Sequence, residues 1–193
     1  MHNANKPTLA QAIGKMAGQS NIVPQSASYV IDGGSLLHRI TWKQGLTYSG
    51  ICKTYVKYVK DRYGAATVVF DGYGSPNTKD STHTRCGQGL MDANMAFTPD
   101  MKFHSKKDRF LRNAVNKQRF INLLSATLEE DGCKTVHAVG DADFLIMKTA
   151  IEYASSRNTI VIGEDTDILV LLCHHADPDS YDIFFQSEVK TNL

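Results

Sequence analysis

Acidic residues recur in this chain where apolar runs end. The stretch Val161-Ile162-Gly163-Glu164-Asp165-Thr166-Asp167 sets three carboxylates in four residues, and Ile168-Leu169-Val170 follows at once. Asp165 and Asp167 are two apart, close enough to share one ion. Ile31-Asp32, Phe70-Asp71 and Asp141-Ala142-Asp143 repeat the arrangement. Acids at the end of a buried strand are costly unless something compensates them, and the carboxyl ends of α/β strands are where sites form. In a parallel sheet all four exits lie at one edge, so Asp32, Asp71, Asp141, Asp143, Asp165 and Asp167 are expected in one crevice, with Glu164 as a spare. Their repulsion disfavours ionisation or folding unless cations enter. Hard oxygen ligands select Mg²⁺ or Mn²⁺. Two such ions can activate a water and stabilise both oxygens of an in-line phosphoryl displacement, which makes a phosphodiester the natural substrate. The competing reading makes Asp141 and Asp165 helix caps. Capping explains Asp141 but not Asp143, which falls inside the first helical turn.

The elements that must position these acids alternate. Strands are expected at 28–31, 66–70, 134–139, 159–162 and 181–186. After Asp32 the two glycines, Gly33 and Gly34, permit a tight turn, and a short helix is expected at 35–40. Ile51, Tyr55, Tyr58 and Val59 make one apolar stripe at helical spacing over 48–62. Phe110, Leu111, Ala114, Val115, Phe120, Ile121, Leu124 and Leu128 give a further helix its apolar side. It ends at Glu129, Glu130 and Asp131, acids that oppose the helix dipole and so belong in solvent or at a frayed end. Helices should also follow Asp141 and Asp165. Strand–helix–strand order predicts an α/β domain over 28–193, with a mainly parallel twisted sheet and helices on both faces. Residues 1–27 read as a polar tail with a short helix at 9–16, and 73–119 as a basic loop or helical arch acting as a lid.

Composition excludes a disordered chain: hydrophobic residues are 42% and charged residues 21% of 193. The net charge of +1 decides nothing about nucleic acid, but residues 102–119 hold seven Lys or Arg against Asp108 alone. Lys106, Lys107, Arg109 and Arg112 in that stretch, with Lys79 and Arg85 before it, are candidate phosphate contacts. For any single lysine a solvated helix face is the bland alternative. His83 reads as a loop histidine rather than a general base. Cys52, Cys86, Cys133 and Cys173 form no CxxC pair, so buried reduced thiols are expected, and Cys173-His174-His175 lacks a second cluster at zinc spacing. No stretch reaches membrane-spanning length and no signal peptide is visible, which predicts an intracellular protein, nuclear or cytoplasmic.

With these motifs in order, the chain resembles the PIN-like superfamily, within it the flap-endonuclease and 5′-nuclease branch. The likeness rests on Val30-Ile31-Asp32-Gly33, on Val69-Phe70-Asp71-Gly72 with Pro76 and Lys79 after it, and on the acid pairs Asp141/Asp143 and Asp165/Asp167. It spans 29–186. It implies two metal ions, Asp32, Asp71, Asp141 and Asp143 serving the first and Asp165 and Asp167 the second. It also implies a basic helical arch between the second aspartate and the first acid pair, where 79–119 lies. The first pair is usually glutamate-rich in that branch. The branch's duplex-gripping helix–hairpin–helix and last acidic ligand would lie beyond Asp167, where 26 residues remain. Asp177, Asp179 and Asp182 lie there without aligning to that ligand. The general look is also similar to proteins of mobile-element origin, a likeness that implies no activity.

The expected function is a metal-dependent nuclease acting on single-stranded or branched DNA or RNA. The alternative is a nucleic-acid-binding module of the same fold with weak or lost catalysis. A phosphatase or other phosphotransfer reaction, and a domain whose acids serve only as caps, complete the set. The chain has no phosphate-binding GxxxxGK[ST] loop, which disfavours nucleotide hydrolysis.

Overall fold

The computed structural model describes residues 24, 26–72 and 94–188. Five strands, β1 (Ser28–Asp32), β2 (Thr67–Phe70), β3 (Lys134–His137), β4 (Thr159–Ile162) and β5 (Ile183–Gln186), form one sheet in the order β3-β2-β1-β4-β5. Every pairing is parallel. The described helices are α1 (Gly33–Arg39), α2 (Tyr48–Tyr63), α3 (Lys107–Arg112), α4 (Ala114–Glu130), α5 (Ala142–Ala154) and α6 (Thr166–His175). The protein is therefore an α/β domain, as the alternation of elements predicts. The chain moves outward from β1 through β2 to β3, then returns to β4 on the other side of β1. The point between β1 and β4 is where the strand order reverses, the position at which open parallel sheets carry their crevice.

Strand alternation sends successive side chains to opposite faces, and both faces are covered. Ile31, Val68, Phe70, Ile160 and Ile162 pack with Leu36 and Leu37 of α1, Ile51, Tyr55 and Val59 of α2, Phe110 of α3, and Phe120 and Leu124 of α4. Val30, Val69 and Val161 pack on the other side with Ile146, Met147 and Ala150 of α5 and Ile168 and Leu172 of α6. Burial on both faces is why β2 and β4 are buried at every position.

Three details differ from the sequence expectation. Helix α1 begins directly at Gly33, with Asp32 as its N-cap, so the glycines are helical rather than a separate turn. Gly33 is required by packing. A Cβ there would overlap the Phe70 ring and approach the Val69 carbonyl oxygen at 2.6 Å. The basic stretch is two helices, not one, because Asn113 leaves the helical conformation and its side chain accepts from the Asn116 N–H at 3.0 Å, capping α4. Of the cysteines, Cys52 and Cys133 are buried, but Cys173 is exposed. The acidic end of α4 lies in solvent as expected, and Lys60 pairs with Asp131 there at 3.0 Å.

The segment before α3 is fixed to the body. Phe103 N–H donates to the Leu46 carbonyl at 2.8 Å and Gly45 N–H to the Phe103 carbonyl at 3.0 Å. The Phe103 ring packs edge-on against Trp42, which also contacts Phe110 and Phe120. This aromatic core sets α3 and α4 against α1 and α2. The 9–16 helix, the stretch around Lys79, His83 and Arg85, and Cys86 lie outside the described residues, as does the first part of the expected arch, up to residue 93. Among the described residues, no helix is long and apolar enough to cross a membrane.

Candidate metal centre

Asp32, Asp141 and Asp165 sit where the chain enters a helix, and a common local device holds all three; Asp71 directly follows β2. Asp32 Oδ1 accepts from Gly34 N–H at 2.8 Å and Ser35 N–H at 3.2 Å. Asp141 Oδ1 accepts from Asp143 N–H at 3.1 Å, and Asp165 Oδ1 from Asp167 N–H at 2.9 Å. These are N-caps of α1, α5 and α6. Such caps satisfy donors that a helix leaves unpaired, and the helix dipole favours a carboxylate there. Asp143 and Asp167 lie in the first turns of α5 and α6.

The four strand exits converge. A Cβ placed on Gly34 would lie 3.2 Å from Asp32 Oδ1 and 3.8 Å from Asp71 Oδ2, so these oxygens border one point. A Cβ on Gly163, two residues before Asp165, would stand 3.6 Å from Asp32 Cβ. Gly72 packs against the Ala138 carbonyl with no room for a side chain, which holds the β3 exit against the β2 exit. The electrostatics agree. Burial first, then the charges of Asp141, Asp165, Asp32 and Asp71, push the Asp143 carboxyl from 3.8 up to about 6. Burial likewise raises Asp32, with Asp71 and Asp165 adding to the rise and its two backbone hydrogen bonds opposing it. Thus Asp32, Asp71, Asp141, Asp143 and Asp165 act on one another. Asp167 is exposed at the start of α6, its amide serving Asp165.

Chemically the set suits a hard divalent cation: all donors are carboxylate oxygens, and two of them have ionisation disfavoured by burial and like charge. Among the described residues no three His, Cys, Asp or Glu side chains converge tightly enough to hold an ion as they stand. Glu164, the spare acid of the sequence reading, is committed elsewhere, in an ion pair with Arg39.

The basic flank divides by role. Lys107 Nζ donates to the carbonyls of His38 at 2.9 Å and Ile40 at 2.8 Å, closing the C-terminal end of α1. Lys106 and Arg109, with Met95, His104 and Ser105, line an open groove of about 570 Å³. Arg112, the last residue of α3, is exposed. The residue that sequence reasoning missed is Lys117 of α4. Burial lowers its ammonium below the usual lysine range, while the nearby charges of Asp71 and Asp32 pull it back up. A lysine at the acid cluster could be found in sequence only by knowing that α4 restarts at Asn113, because the restart sets which face Lys117 occupies. No family model, curated protein or solved structure matches this chain.

Proposed function

We propose that this protein is a divalent-metal-dependent nuclease of the PIN-like type, hydrolysing phosphodiester bonds in single-stranded or branched nucleic acid by a two-metal mechanism. The observation that carries the reading is the gathering of acids from four parallel strand exits at one sheet edge, with Asp32 and Asp71 oxygens bordering one point and the Asp165 loop packed against Asp32, where strand order reverses; the raised Asp143 carboxyl agrees with it. Caps alone account for Asp32, Asp141 and Asp165, but give no reason for Asp143 and Asp71 to share their field. Asp32, Asp71, Asp141 and Asp143 would hold one Mg²⁺ or Mn²⁺, and Asp165 with Asp167 the other. Bound ions would supply Lewis-acid stabilisation of the reacting phosphate. The chain's own part is to fix those oxygens through three helix N-termini and to set Lys117 beside Asp71 and Asp32, where its charge faces an incoming phosphate. Lys106, Arg109 and Arg112 would take backbone phosphates, contacts that position a strand without reading its sequence.

The second reading is a nucleic-acid-binding module of the same fold with weak or lost catalysis, favoured by the open groove lined by Lys106 and Arg109, a basic surface that can hold phosphates without a metal. Purified protein incubated with Mg²⁺ or Mn²⁺ and a panel of single-stranded, flapped and duplex oligonucleotides separates the two. The nuclease reading expects cleavage abolished by chelator, with duplex the poorest substrate, and loss of cleavage but retained binding in Asp71→Asn, Asp143→Asn and Asp165→Asn. Binding without cleavage under either ion selects the second reading. Cleavage that survives in Asp143→Asn and Asp165→Asn alike removes the proposed site.

A further inference from the structure

We infer that Arg39 is a positioning residue for the loop that carries Asp165, and that Glu188 fixes Arg39 in turn; its service to metal binding rests on the nuclease reading above. Arg39 is the last residue of α1, its side chain 20% exposed. Its Nη2 pairs with Glu164, and its Nε faces Glu188 Oε2 at 3.4 Å. Glu188 follows β5 by two residues, and its side chain is 10% exposed. Donors hold both its oxygens. The Tyr58 hydroxyl donates to Oε2 at 2.6 Å, Arg62 Nη1 to Oε1 at 3.0 Å, and the Tyr63 hydroxyl to Oε1. A carboxylate with charge-assisted bonds from three residues of α2 and a facing guanidinium is a fixed point in the fold.

From that point a short chain of contacts reaches the candidate site. Glu188 steadies one side of the Arg39 guanidinium, and the other side holds Glu164. Glu164 directly precedes Asp165, the N-cap of α6. Helix α1 also begins at its own cap, Asp32, and is only seven residues long. About two rigid helical turns therefore fix Asp32 at their first end and the Asp165 loop through their last residue. They tie together the exits of β1 and β4, the two strands that flank the reversal in strand order. The pairing also neutralises Glu164, which would otherwise add to the repulsion among Asp32, Asp143 and Asp165. A lysine could not substitute, because engaging two carboxylates from separate nitrogens needs the planar guanidinium fork.

The test uses the full chain, free of metal, and reads amide hydrogen exchange in peptides covering 163–168. Glu188→Gln and Arg39→Lys should speed exchange there by about tenfold, while amides in the core of α4 keep their wild-type rates, the signature of local rather than global opening. Lys60→Met, which breaks the Lys60–Asp131 pair, should leave the 163–168 peptides unchanged. Arg39→Lys combined with Glu164→Gln should exchange no faster there than Arg39→Lys alone, since both act through one pair. Unchanged loop exchange in Glu188→Gln and Arg39→Lys overturns the inference, as does an increase of the same size throughout the protein. Mn²⁺ titration followed by electron paramagnetic resonance is read separately. Weaker Mn²⁺ binding in both variants supports the positioning role. Equal binding in variants and wild type overturns Arg39's service to the site. A wild type that binds no Mn²⁺ defeats the metal reading alone, and the exchange result still decides whether Arg39 holds the loop.

Discussion

Replacing Asp143 with Asn should make the metal-free protein more stable at neutral pH. Its carboxyl stands at about 6 in the fold against an ordinary 3.8, through burial and four neighbouring aspartates. The folded protein thus holds this proton more tightly than the unfolded chain does. The stability contributed by the protonated form is fully present below about pH 4 and is lost as pH rises through about 6. Above that window the ionised group works against folding. Taken at face value the shift corresponds to about 3 kcal/mol. Asp143 is partly exposed, and solvent screening reduces this to about 1 kcal/mol. For a domain of this size such a change moves Tm by about 2–4 °C. The assay is thermal unfolding of wild type and Asp143→Asn in chelator from pH 4 to 8. The variant should melt higher at pH 7 to 8, and the gap should close toward pH 4. Adding Mn²⁺ should then raise the wild-type Tm more than the variant's, because only an ion that binds the native state stabilises it by mass action. A variant that melts lower than wild type at pH 7.5 in chelator would refute the electrostatic reasoning. Equal Mn²⁺ increments would refute Asp143 as a ligand.

Three further outcomes follow from the geometry. Asp165→Ala should cost about 1 kcal/mol of stability by removing the α6 cap, while Asp165→Asn should cost little because asparagine caps as well as aspartate; urea unfolding separates them, and equal losses would count against the cap. Gly33→Ala should destabilise by about 1–3 kcal/mol through overpacking against Phe70 and the Val69 carbonyl, measured as a lower urea midpoint at an unchanged slope. Neutralising Lys106, Arg109 and Arg112 together should lower the slope of log affinity against log salt by up to about three, across unrelated oligonucleotide sequences. Lys107→Met should instead lower stability, since its ammonium is bonded to the His38 and Ile40 carbonyls.

The sequence made the strand–helix alternation and the acids at four exits legible because both are local signals. Apolar runs of strand length, glycines, and caps two residues ahead of an acid all lie within a short window. What stayed hidden depends on partners distant in sequence. Gly33 reads as a turn residue, and only contact with Phe70 of β2 shows why a helix begins there without a side chain. The lysines from 102 to 119 look equivalent as a run of charge. The break at Asn113 resets the helical phase, so Lys107 faces the end of α1 while Lys117 reaches the acid cluster. Glu164 looks like one more ligand beside Asp165, and nothing in the motif reveals Arg39, 125 residues away, as its partner.

The same separation bears on the oldest ambiguity in this chain, whether its aspartates are caps or ligands. The two roles are compatible on one residue, because a carboxylate has two oxygens and about four acceptor sites. A cap that uses Oδ1 of Asp32, Asp141 or Asp165 fixes the side chain's torsion and leaves Oδ2 on a defined arc, which is preorganisation for any cation that comes between the exits. Capping therefore does not argue against metal binding here. It fixes the side chains of three acids in a cluster of like charges. What capping cannot explain is charge. A cap works equally well as a neutral amide, so a chain under capping demands alone could relieve the repulsion felt by Asp32 and Asp143 with asparagine at the neighbouring exits. All four exits instead carry full carboxylates, and burial with mutual repulsion raises two of them. In the proposed function a divalent ion joins Lys117 as the positive partner of this cluster, a role that suits its oxygen chemistry.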